Sequence, residues 1–339
     1  MSWIGLHWLA IAGLSLELGA AGQPAFGAEY FHGKTINLVA GQPPGGGIDI
    51  EMRLVAASLG KFISGEPQVQ PRNMPGAGGI ALGNQLYNVA LPDGLTLGMP
   101  GRAGFVLGSI TDEKSARYDV RKFTWIGSME GANFIFWARK DLGVSTTTEL
   151  RGLGREIIVA ASGSTTANSI IPEILAKYGG PKFKVVRGYP GIADAVLAVE
   201  RGEADAIYCD RASLRPDMID NGLVKPIFQT FPAIPGLPVI DELMGDDGEK
   251  RLVKLLTTPM RLGLPVIGPP GLPGDVTEIL RNGYERMASS AEYQKQLRQR
   301  SLDVGKVNRG DALALEVTAA FAEASDDVVA EYRAFATKN

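Results

Sequence analysis

The sequence contains a single cysteine, Cys209, and only two histidines, His7 and His32, in 339 residues. One cysteine can form neither an intrachain disulfide nor a cysteine-rich metal site. Both histidines lie close to the N-terminus, so a Ser-His or Cys-His catalytic pair has almost no base available. The sequence therefore predicts a protein without catalytic residues, and one that needs neither a metal nor an organic cofactor.

Clustered positive charge is also missing. The chain has 34 Lys and Arg against 37 Asp and Glu, and the basic residues are scattered. Nucleic-acid binding normally leaves a concentrated basic surface, so this distribution argues against a nucleic-acid partner. A small anion stays compatible with the composition, because a group of backbone N–H donors binds an anion without net positive charge.

Long apolar runs are absent after the N-terminus. Residues 4–18 are largely apolar but too short to span a bilayer comfortably, and small residues at 25–28 suit a cleavage site. Two features are atypical of a secretory signal: no Lys or Arg precedes the apolar run, and Glu17 interrupts it. The pattern nevertheless predicts a signal peptide over residues 1–28 and export to the periplasm.

Strand-like and helix-like segments alternate along the rest of the chain. Apolar, β-branched runs such as residues 35–41 and 157–161 are typical of buried strands, and a turn and a helix-like stretch follow each. After residue 272 the pattern predicts two terminal helices. Such alternation favours mostly parallel sheets flanked by helices, so the predicted fold class is α/β.

Three glycine-rich or polar turns join predicted strands to predicted helices, at residues 43–49, 73–79 and 162–168. In an α/β sheet, ligands bind outside the carboxyl ends of the strands, where all three turns are expected. Each turn leads into a helix N-terminus, whose unpaired N–H groups and dipole favour an anion. A single turn of this kind is ordinary turn chemistry, but three at one edge predict an anion-binding site. Glycine at such a turn lets backbone amides approach a ligand oxygen closely.

Several motifs follow one another in order between about residue 35 and residue 303. They include PPGGGID (43–49), NMPGAGG (73–79), LPDGLTL (91–97), YPGIADAVLAVERGEADAIYCD (189–210) and GPPGLPGDVTEIL (268–280). This ordered set resembles the substrate-binding proteins of tripartite tricarboxylate transporters, the TctC or Bug type.

The resemblance implies a two-lobed periplasmic-binding-protein-like fold, in which each lobe is a mostly parallel sheet flanked by helices and the ligand cleft lies between the lobes. On this sequence the first lobe would cover residues 29–130 and, after the chain returns, 256–339. The second lobe would cover 131–255. The implied function is capture of a small organic acid (a mono-, di- or tricarboxylate or an aromatic acid) and its delivery to membrane permease subunits.

The resemblance further implies that backbone amides and short hydroxyl groups hold the carboxylate. The matching positions in the first lobe are Gly45, Gly46, Gly47, Asp49, Asn73, Gly76, Ala77 and Gly78. Those in the second lobe are Ser162, Gly163, Thr165, Thr166, Tyr189, Gly191 and Asp210.

The sequence departs from the family pattern at several of these positions. Gln42 stands where an aromatic residue is usual, and Thr165 stands where the polar loop usually has a second glycine. The expected histidine falls at Asn168 or Ser169, and Arg102 lies where small polar residues are usual. Gln42, Arg102 and Asn168 join the predicted ligand-binding residues, and the identity of the carboxylate stays open.

Individual side chains keep a structural interpretation beside the ligand-binding one. Asp49 either orients its turn and bridges water to the ligand or caps its helix as the N-cap residue. Tyr189 either donates a hydrogen bond to the ligand or packs structurally. Arg102 either binds a second carboxylate or lies free on the surface. Trp125 and Trp137 are predicted core residues.

Two other functions fit the same architecture. One is an extracytoplasmic sensor module that reports ligand occupancy to a membrane receptor. The other is an enzyme acting on a small carboxylate, for which only Asp49, Asp210 or Tyr189 is available as a base. Asp205 and Asp210 do not suggest an acid–base pair, because their odd spacing on a strand places them on opposite faces.

Overall fold

The computed structural model describes residues 29–336, apart from positions 46, 102, 112, 130, 132, 163–165, 179, 190, 301 and 303. The predicted signal peptide, residues 1–28, lies outside the described residues, as do four predicted site residues: Gly46, Arg102, Gly163 and Thr165. None of the described helices is both long enough and apolar enough to cross a membrane.

The strands of the described residues form two sheets. They are β1 (Thr35–Ala40), β2 (Gln68–Asn73), β3 (Thr96–Met99), β4 (Thr124–Met129), β5 (Phe134–Arg139), β6 (Ile157–Ala160), β7 (Phe183–Val186), β8 (Ala206–Asp210), β9 (Val224–Gln229), β10 (Val266–Gly268) and β11 (Val307–Arg309). The first sheet has the order β11-β4-β10-β3-β1-β2, and the second has the order β7-β6-β8-β5-β9. The first sheet therefore combines strands from both ends of the chain, whereas the second comes from its middle.

Helices cover both sheets. Those in the described residues are α1 (Gly47–Leu59), α2 (Ile80–Asn88), α3 (Ala103–Ile110), α4 (Thr147–Gly152), α5 (Ala167–Lys177), α6 (Ile192–Arg201), α7 (Pro216–Asp220), α8 (Asp247–Arg261), α9 (Gly274–Ser289), α10 (Ala291–Gln299), α11 (Gly310–Glu323) and α12 (Asp326–Ala336). The two helices predicted as terminal are α9 and α10, and β11, α11 and α12 follow them. Two helices were not predicted from the sequence: α8, which contains a proline, and α11, whose apolar residues are not confined to one face. In α11, Leu313 is buried and Leu315 is exposed.

Each sheet is mixed rather than mostly parallel. The parallel pairs are β1–β2, β1–β3, β6–β7 and β6–β8. A crossover helix joins the consecutive strands in each of these groups, as parallel pairing requires. The antiparallel pairs involve β5, which follows β4 without an intervening helix, and the late strands β10 and β11. The prediction of an α/β fold with alternating strands and helices is confirmed, and the sheets are mixed where mostly parallel sheets were predicted.

The two tryptophans predicted to lie in the core are buried there. Trp125 of β4 and Trp137 of β5 are almost completely shielded from solvent. Each indole N–H has a backbone acceptor, the carbonyl of Val120 at 3.3 Å and that of Cys209 at 3.2 Å. A buried indole needs such a partner, because an unpaired N–H in the core costs free energy.

The chain passes from the first sheet to the second between the end of β4 at Met129 and the start of β5 at Phe134. β3 and β4 both run antiparallel to β10, which lies between them, so their carboxyl ends lie at the same edge of the first sheet. In the second sheet Phe134 pairs with Asp210, which places the start of β5 beside the carboxyl end of β8. The edges at which the parallel strands of the two sheets end therefore lie on either side of one crossing, the segment that joins β4 to β5.

Candidate ligand-binding site

Three loops follow the adjacent parallel strands β2, β1 and β3 at one edge of the first sheet. Their backbones are packed against one another around the carbonyl group of Pro100. A Cβ atom placed on Gly41 would lie 2.4 Å from that oxygen, and one placed on Gly79 would lie 1.9 Å from it. Only glycine fits either position. Gly76, Ala77 and Gly78 were predicted from the sequence as site residues, but Gly41 and Gly79 were not, because the residue that requires glycine there is distant in the chain.

The loop after β2, residues 73–79, has an unusual backbone conformation. Ala77, Gly78 and Gly79 have φ angles of +45°, +63° and +101°, which places three consecutive residues in the left-handed region. An alanine is strained there, because its Cβ approaches the carbonyl oxygen. Gly76 is half-buried, whereas Ala77 and Gly78 are exposed. Backbone strain of this kind is found preferentially at binding and catalytic sites, which supports a functional role for the loop.

Asp49 is the third residue of α1 and not its N-cap, since the helix begins at Gly47. Its side chain reaches back along the first turn, where Oδ2 accepts a hydrogen bond of 2.8 Å from the backbone N–H of Gly45. The N-cap prediction was therefore wrong by three residues. The related prediction that Asp49 orients the glycine turn agrees with this contact, and Gly45 and Gly47 are both exposed beside it.

A hydrogen-bond network connects the loop after β1 to the loop after β2. Asn73 Nδ2, at the end of β2, donates to Asp49 Oδ1 at 2.8 Å and to the backbone carbonyl of Gln42 at 3.0 Å. Arg53 Nε donates to both Asp49 oxygens, at 3.1 and 3.0 Å, and Arg53 Nη2 donates to Asn73 Oδ1 at 3.1 Å. The structure thus brings Gln42, Asp49 and Asn73 together as predicted site residues. Arg53 was not predicted, although its position four residues after an aspartate in a helix indicates an ion pair.

The network keeps the Asp49 carboxylate charged although it is only 3% exposed. The Arg53 side chain lowers its pKa from 3.8 to about 2, with burial acting in the opposite direction and the Gly45 N–H and Asn73 side chain assisting Arg53. Arg53 is half-exposed. The turn is therefore built on an ion pair with no net charge, in which the negative partner lies inside and the positive partner faces solvent.

Acid should weaken this ion pair and with it the folded state. Because the folded pKa of Asp49 lies below its usual value of 3.8, its contribution to stability is complete above about pH 4 and is lost as the pH falls toward 2. After a discount for the solvent around Arg53, we expect a contribution of about 1–2 kcal/mol. Urea unfolding of wild type and Asp49→Asn at pH 7, 4 and 2 measures it. The stability difference between the two proteins should shrink as pH falls, and a difference independent of pH would contradict this interpretation.

The carboxyl end of β6 carries a second group of polar side chains. Asn168 lies in the first turn of α5, is 1% exposed, and contacts Ser162 Oγ through its Oδ1 at 3.3 Å and its Nδ2 at 3.2 Å. Thr166 Oγ1 donates to Asn168 Oδ1. Asn168, at one of the two positions where the resemblance implies a histidine, therefore joins Ser162 to Thr166 through its buried side chain. Ser162 and Thr166 are half-buried.

Tyr189 and Gly191 lie in the loop after β7, and Asp210 ends β8. Tyr189 is half-buried and packs on the apolar cluster beneath α6, while Gly191 is the N-cap residue of that helix. Asp210 Oδ1 accepts hydrogen bonds from the backbone N–H of Ser213 at 2.7 Å and from its hydroxyl at 2.9 Å. Because β6, β7 and β8 are parallel, these loops lie at the same edge as Ser162 and Thr166.

Asp205, at the other end of β8, serves a structural role. Its carboxylate forms a bidentate ion pair with Arg155, with both oxygen–nitrogen distances at 2.8 Å, and accepts a hydrogen bond from the N–H of Ile158. Arg155 lowers the pKa of Asp205, as does the Ile158 N–H, whereas burial raises it. Asp205 and Asp210 are thus separate features, as their spacing in the sequence indicates.

Two mixed sheets, each covered by helices and with their carboxyl-end loops on either side of a chain crossing, define a periplasmic-binding-protein-like fold. The chain has this fold in common with a crystal structure of a TctC solute-binding protein from Polaromonas, at a TM-score of 0.69, 16% identity, and coverage of 88% of this chain and 99% of that one. It is also similar to MatC from Rhodopseudomonas palustris, a structure with bound malate, at a TM-score of 0.55, 19% identity, and coverage of 87% and 99%.

The family is shown by sequence. Residues 52–316 match the model of the tripartite tricarboxylate transporter family receptor, TctC. A UPF0065 protein of Cupriavidus necator is 24% identical over 310 residues, which are 86% of this chain and 87% of that protein. The chain belongs to the TctC family of substrate-binding receptors, as its motifs predicted.

Proposed function

We propose that this protein is a periplasmic receptor that captures a small organic carboxylate between its two lobes and delivers it to the membrane permease of a tripartite tricarboxylate transporter. The hydrogen-bonded group of Gln42, Asp49, Arg53 and Asn73 is the observation that carries this proposal, because it fixes the glycine turn at the N-terminus of α1. Membership of a receptor family and the malate in a structure of the same fold support it.

The glycine turn that leads into α1, residues 43–49, supplies the anion-binding part of the proposed site. The N–H groups at the start of α1 lack acceptors within the helix, and the helix dipole adds partial positive charge there. A carboxylate bound at this end would face the loops after β6 and β7, where Ser162, Thr166 and Tyr189 offer hydroxyl groups. Closure of the two edges would then order these hydroxyls around the ligand and exclude water.

The proposed lobes follow the two sheets. The sequence predicts residues 29–130 and 256–339 for the first lobe and residues 131–255 for the second. The boundary at 255 falls within α8, and this helix packs mainly against α3, α11 and α12, so its whole length belongs with the first lobe in this proposal. The chain would pass between the lobes once at residues 130–133 and return after β9.

Binding rather than catalysis is the proposed role of the site. Asp49 is held ionised by Arg53, and Asp210 caps a turn of its own loop. The pKa of Asp49 is lowered by Arg53, whereas proton abstraction near neutral pH usually requires a carboxylate of raised pKa.

A thermal-shift screen tests the proposed function. The mature chain from residue 29 would be heated with malate, citrate, benzoate or propionate, each as a dilution series. A ligand that binds only the folded protein raises the melting temperature, and the rise grows with the ratio of ligand concentration to Kd. We expect one of these acid classes to give a concentration-dependent rise.

Tyr189→Phe separates the proposed site from nonspecific stabilisation. This variant removes one hydroxyl group and keeps the packing of the ring, so its melting temperature without ligand should equal that of wild type. Loss of a ligand hydrogen bond typically costs about 1 kcal/mol, which is about a fivefold loss of affinity. Absence of a shift with all four acids would contradict carboxylate capture, and an unchanged affinity in Tyr189→Phe would remove Tyr189 from the site.

A further inference from the structure

A cavity of about 540 Å³ lies beside the crossing between the sheets. Its walls come from the crossing itself at Gly131 and Asn133, from the segment after β9 at Phe231, from the end of α8, and from α11. Its volume is in the range of small-molecule sites. Nothing in the proposed capture of a carboxylate uses this cavity.

The cavity is separate from the proposed carboxylate site. The glycine loops follow β3, β1 and β2, whereas the cavity lies against the end of β4 and the start of β11, at the opposite side of the first sheet. The nearest of these loops follows β3, which is two strand positions from β4. At about 4.8 Å per strand this is roughly 10 Å. In the second sheet the cavity borders β5 and β9, whereas the hydroxyl groups of the proposed site follow β6 and β7, which lie beyond β8.

Two opposite charges face the cavity from neighbouring helices. Arg261, at the end of α8, has its guanidinium over the ring of Phe231, with 4.7 Å between its central carbon and the ring centroid. Its Nε is 3.5 Å from Glu316 Oε1 of α11, yet this buried nitrogen has no hydrogen-bond partner among the described residues. Stacking thus fixes the guanidinium in place while a donor next to the cavity lacks an acceptor.

The remaining described lining is largely apolar. Leu262, Val304 and Leu313 contribute side chains, and the ring of Phe231 forms one wall. A ligand suited to these walls has an acceptor for Arg261, a cationic donor for Glu316 and an apolar body. From this combination we propose that the cavity is a second binding site, for an α-amino acid with an apolar side chain, whose carboxylate pairs with Arg261 and whose ammonium group pairs with Glu316.

Calorimetric titration with L-leucine and L-valine tests the proposal on the mature chain. Two matched probes each lack one charged group: 4-methylpentanoate lacks the ammonium group, and 3-methylbutylamine lacks the carboxylate. We expect leucine or valine to bind, and each matched probe to bind at least tenfold more weakly at this site. If neither amino acid binds at millimolar concentration, the proposal is wrong.

Substitutions at the cavity and at the proposed carboxylate site test where the amino acid binds. Glu316→Gln keeps the size of the side chain and should weaken amino-acid binding at least tenfold, and Arg261→Met should do the same. If Arg261→Met does not fold, the glutamate variant decides alone. Tyr189→Phe and Arg53→Met lie at the proposed carboxylate site and should leave amino-acid binding unchanged. Binding that survives Glu316→Gln, or that is lost in Tyr189→Phe, would place the amino acid elsewhere and overturn the proposal.

Discussion

Arg53→Met is expected to weaken carboxylate binding about thirtyfold, and adding Asp49→Asn to the same chain is expected to restore it. In the wild-type protein the Asp49 charge is matched by Arg53 through two hydrogen bonds. Without Arg53, an unmatched carboxylate remains beside the turn that would receive the ligand. Two like charges about 7 Å apart, at an effective dielectric constant of about 20, repel strongly enough to cause a loss of this size.

The pattern over four proteins distinguishes charge compensation from loss of structure. Asp49→Asn alone should bind at least as tightly as wild type, the double variant should bind within a fewfold of wild type, and only Arg53→Met should be weak. Raising the salt concentration should restore part of the carboxylate affinity that Arg53→Met loses, because salt screens the repulsion around a half-exposed site. Calorimetry with the carboxylate identified in the thermal-shift screen provides the affinities.

Arg155→Met serves as the matched control for Arg53→Met. Arg155 also forms a bidentate pair with a partly buried aspartate, Asp205, but it does so at the end of β8 away from the polar loops. Its removal should leave the carboxylate affinity unchanged. If the double variant of Asp49 and Arg53 binds as weakly as Arg53→Met itself, Arg53 acts by supporting the loop and the electrostatic explanation is wrong. A wild-type protein that binds no carboxylate would instead contradict the proposed function.

Gly79→Ala is expected to reduce the stability of the protein by roughly 3–5 kcal/mol. The added Cβ would lie 1.9 Å from the carbonyl oxygen of Pro100, a backbone atom that cannot rotate away. Its φ angle of +101° is also unfavourable for alanine. The loops after β2 and β3 would have to separate, and the melting temperature should fall on the order of 10 °C.

Gly47→Ala is the control for this loss of stability. No atom lies within 4 Å of the position that its Cβ would occupy, and Gly47 is the first residue of α1. Alanine is the better helix former, so this variant should match wild type or exceed it slightly. Thermal unfolding followed by circular dichroism compares the two. Equal melting temperatures for Gly79→Ala and wild type would show that the loops do not depend on this backbone contact.

The candidate site was predictable where it depended on neighbouring residues in the chain. The glycine turns between a strand and a helix are local patterns, and they predicted the loops after β1 and β2. The pairing of Arg53 with Asp49 is equally local, because it is an i,i+4 contact on a helix. It could have been predicted from the sequence but was not. Asn73 was placed at the site by resemblance, but its contact with Asp49 depends on β1 and β2 being adjacent.

By itself the sequence determined the alternation of strands and helices, the position of the glycine turns and membership of the receptor family. Those properties follow from hydrophobic periodicity and from motifs in a fixed order, both of which are local. Only the tertiary structure decided strand direction at the connections between the sheets, because a buried strand has the same pattern whichever way it runs. It alone also showed that Gly79 must be glycine and that a cavity lies beside the crossing. Both depend on segments distant in the chain, which packing alone brings into contact.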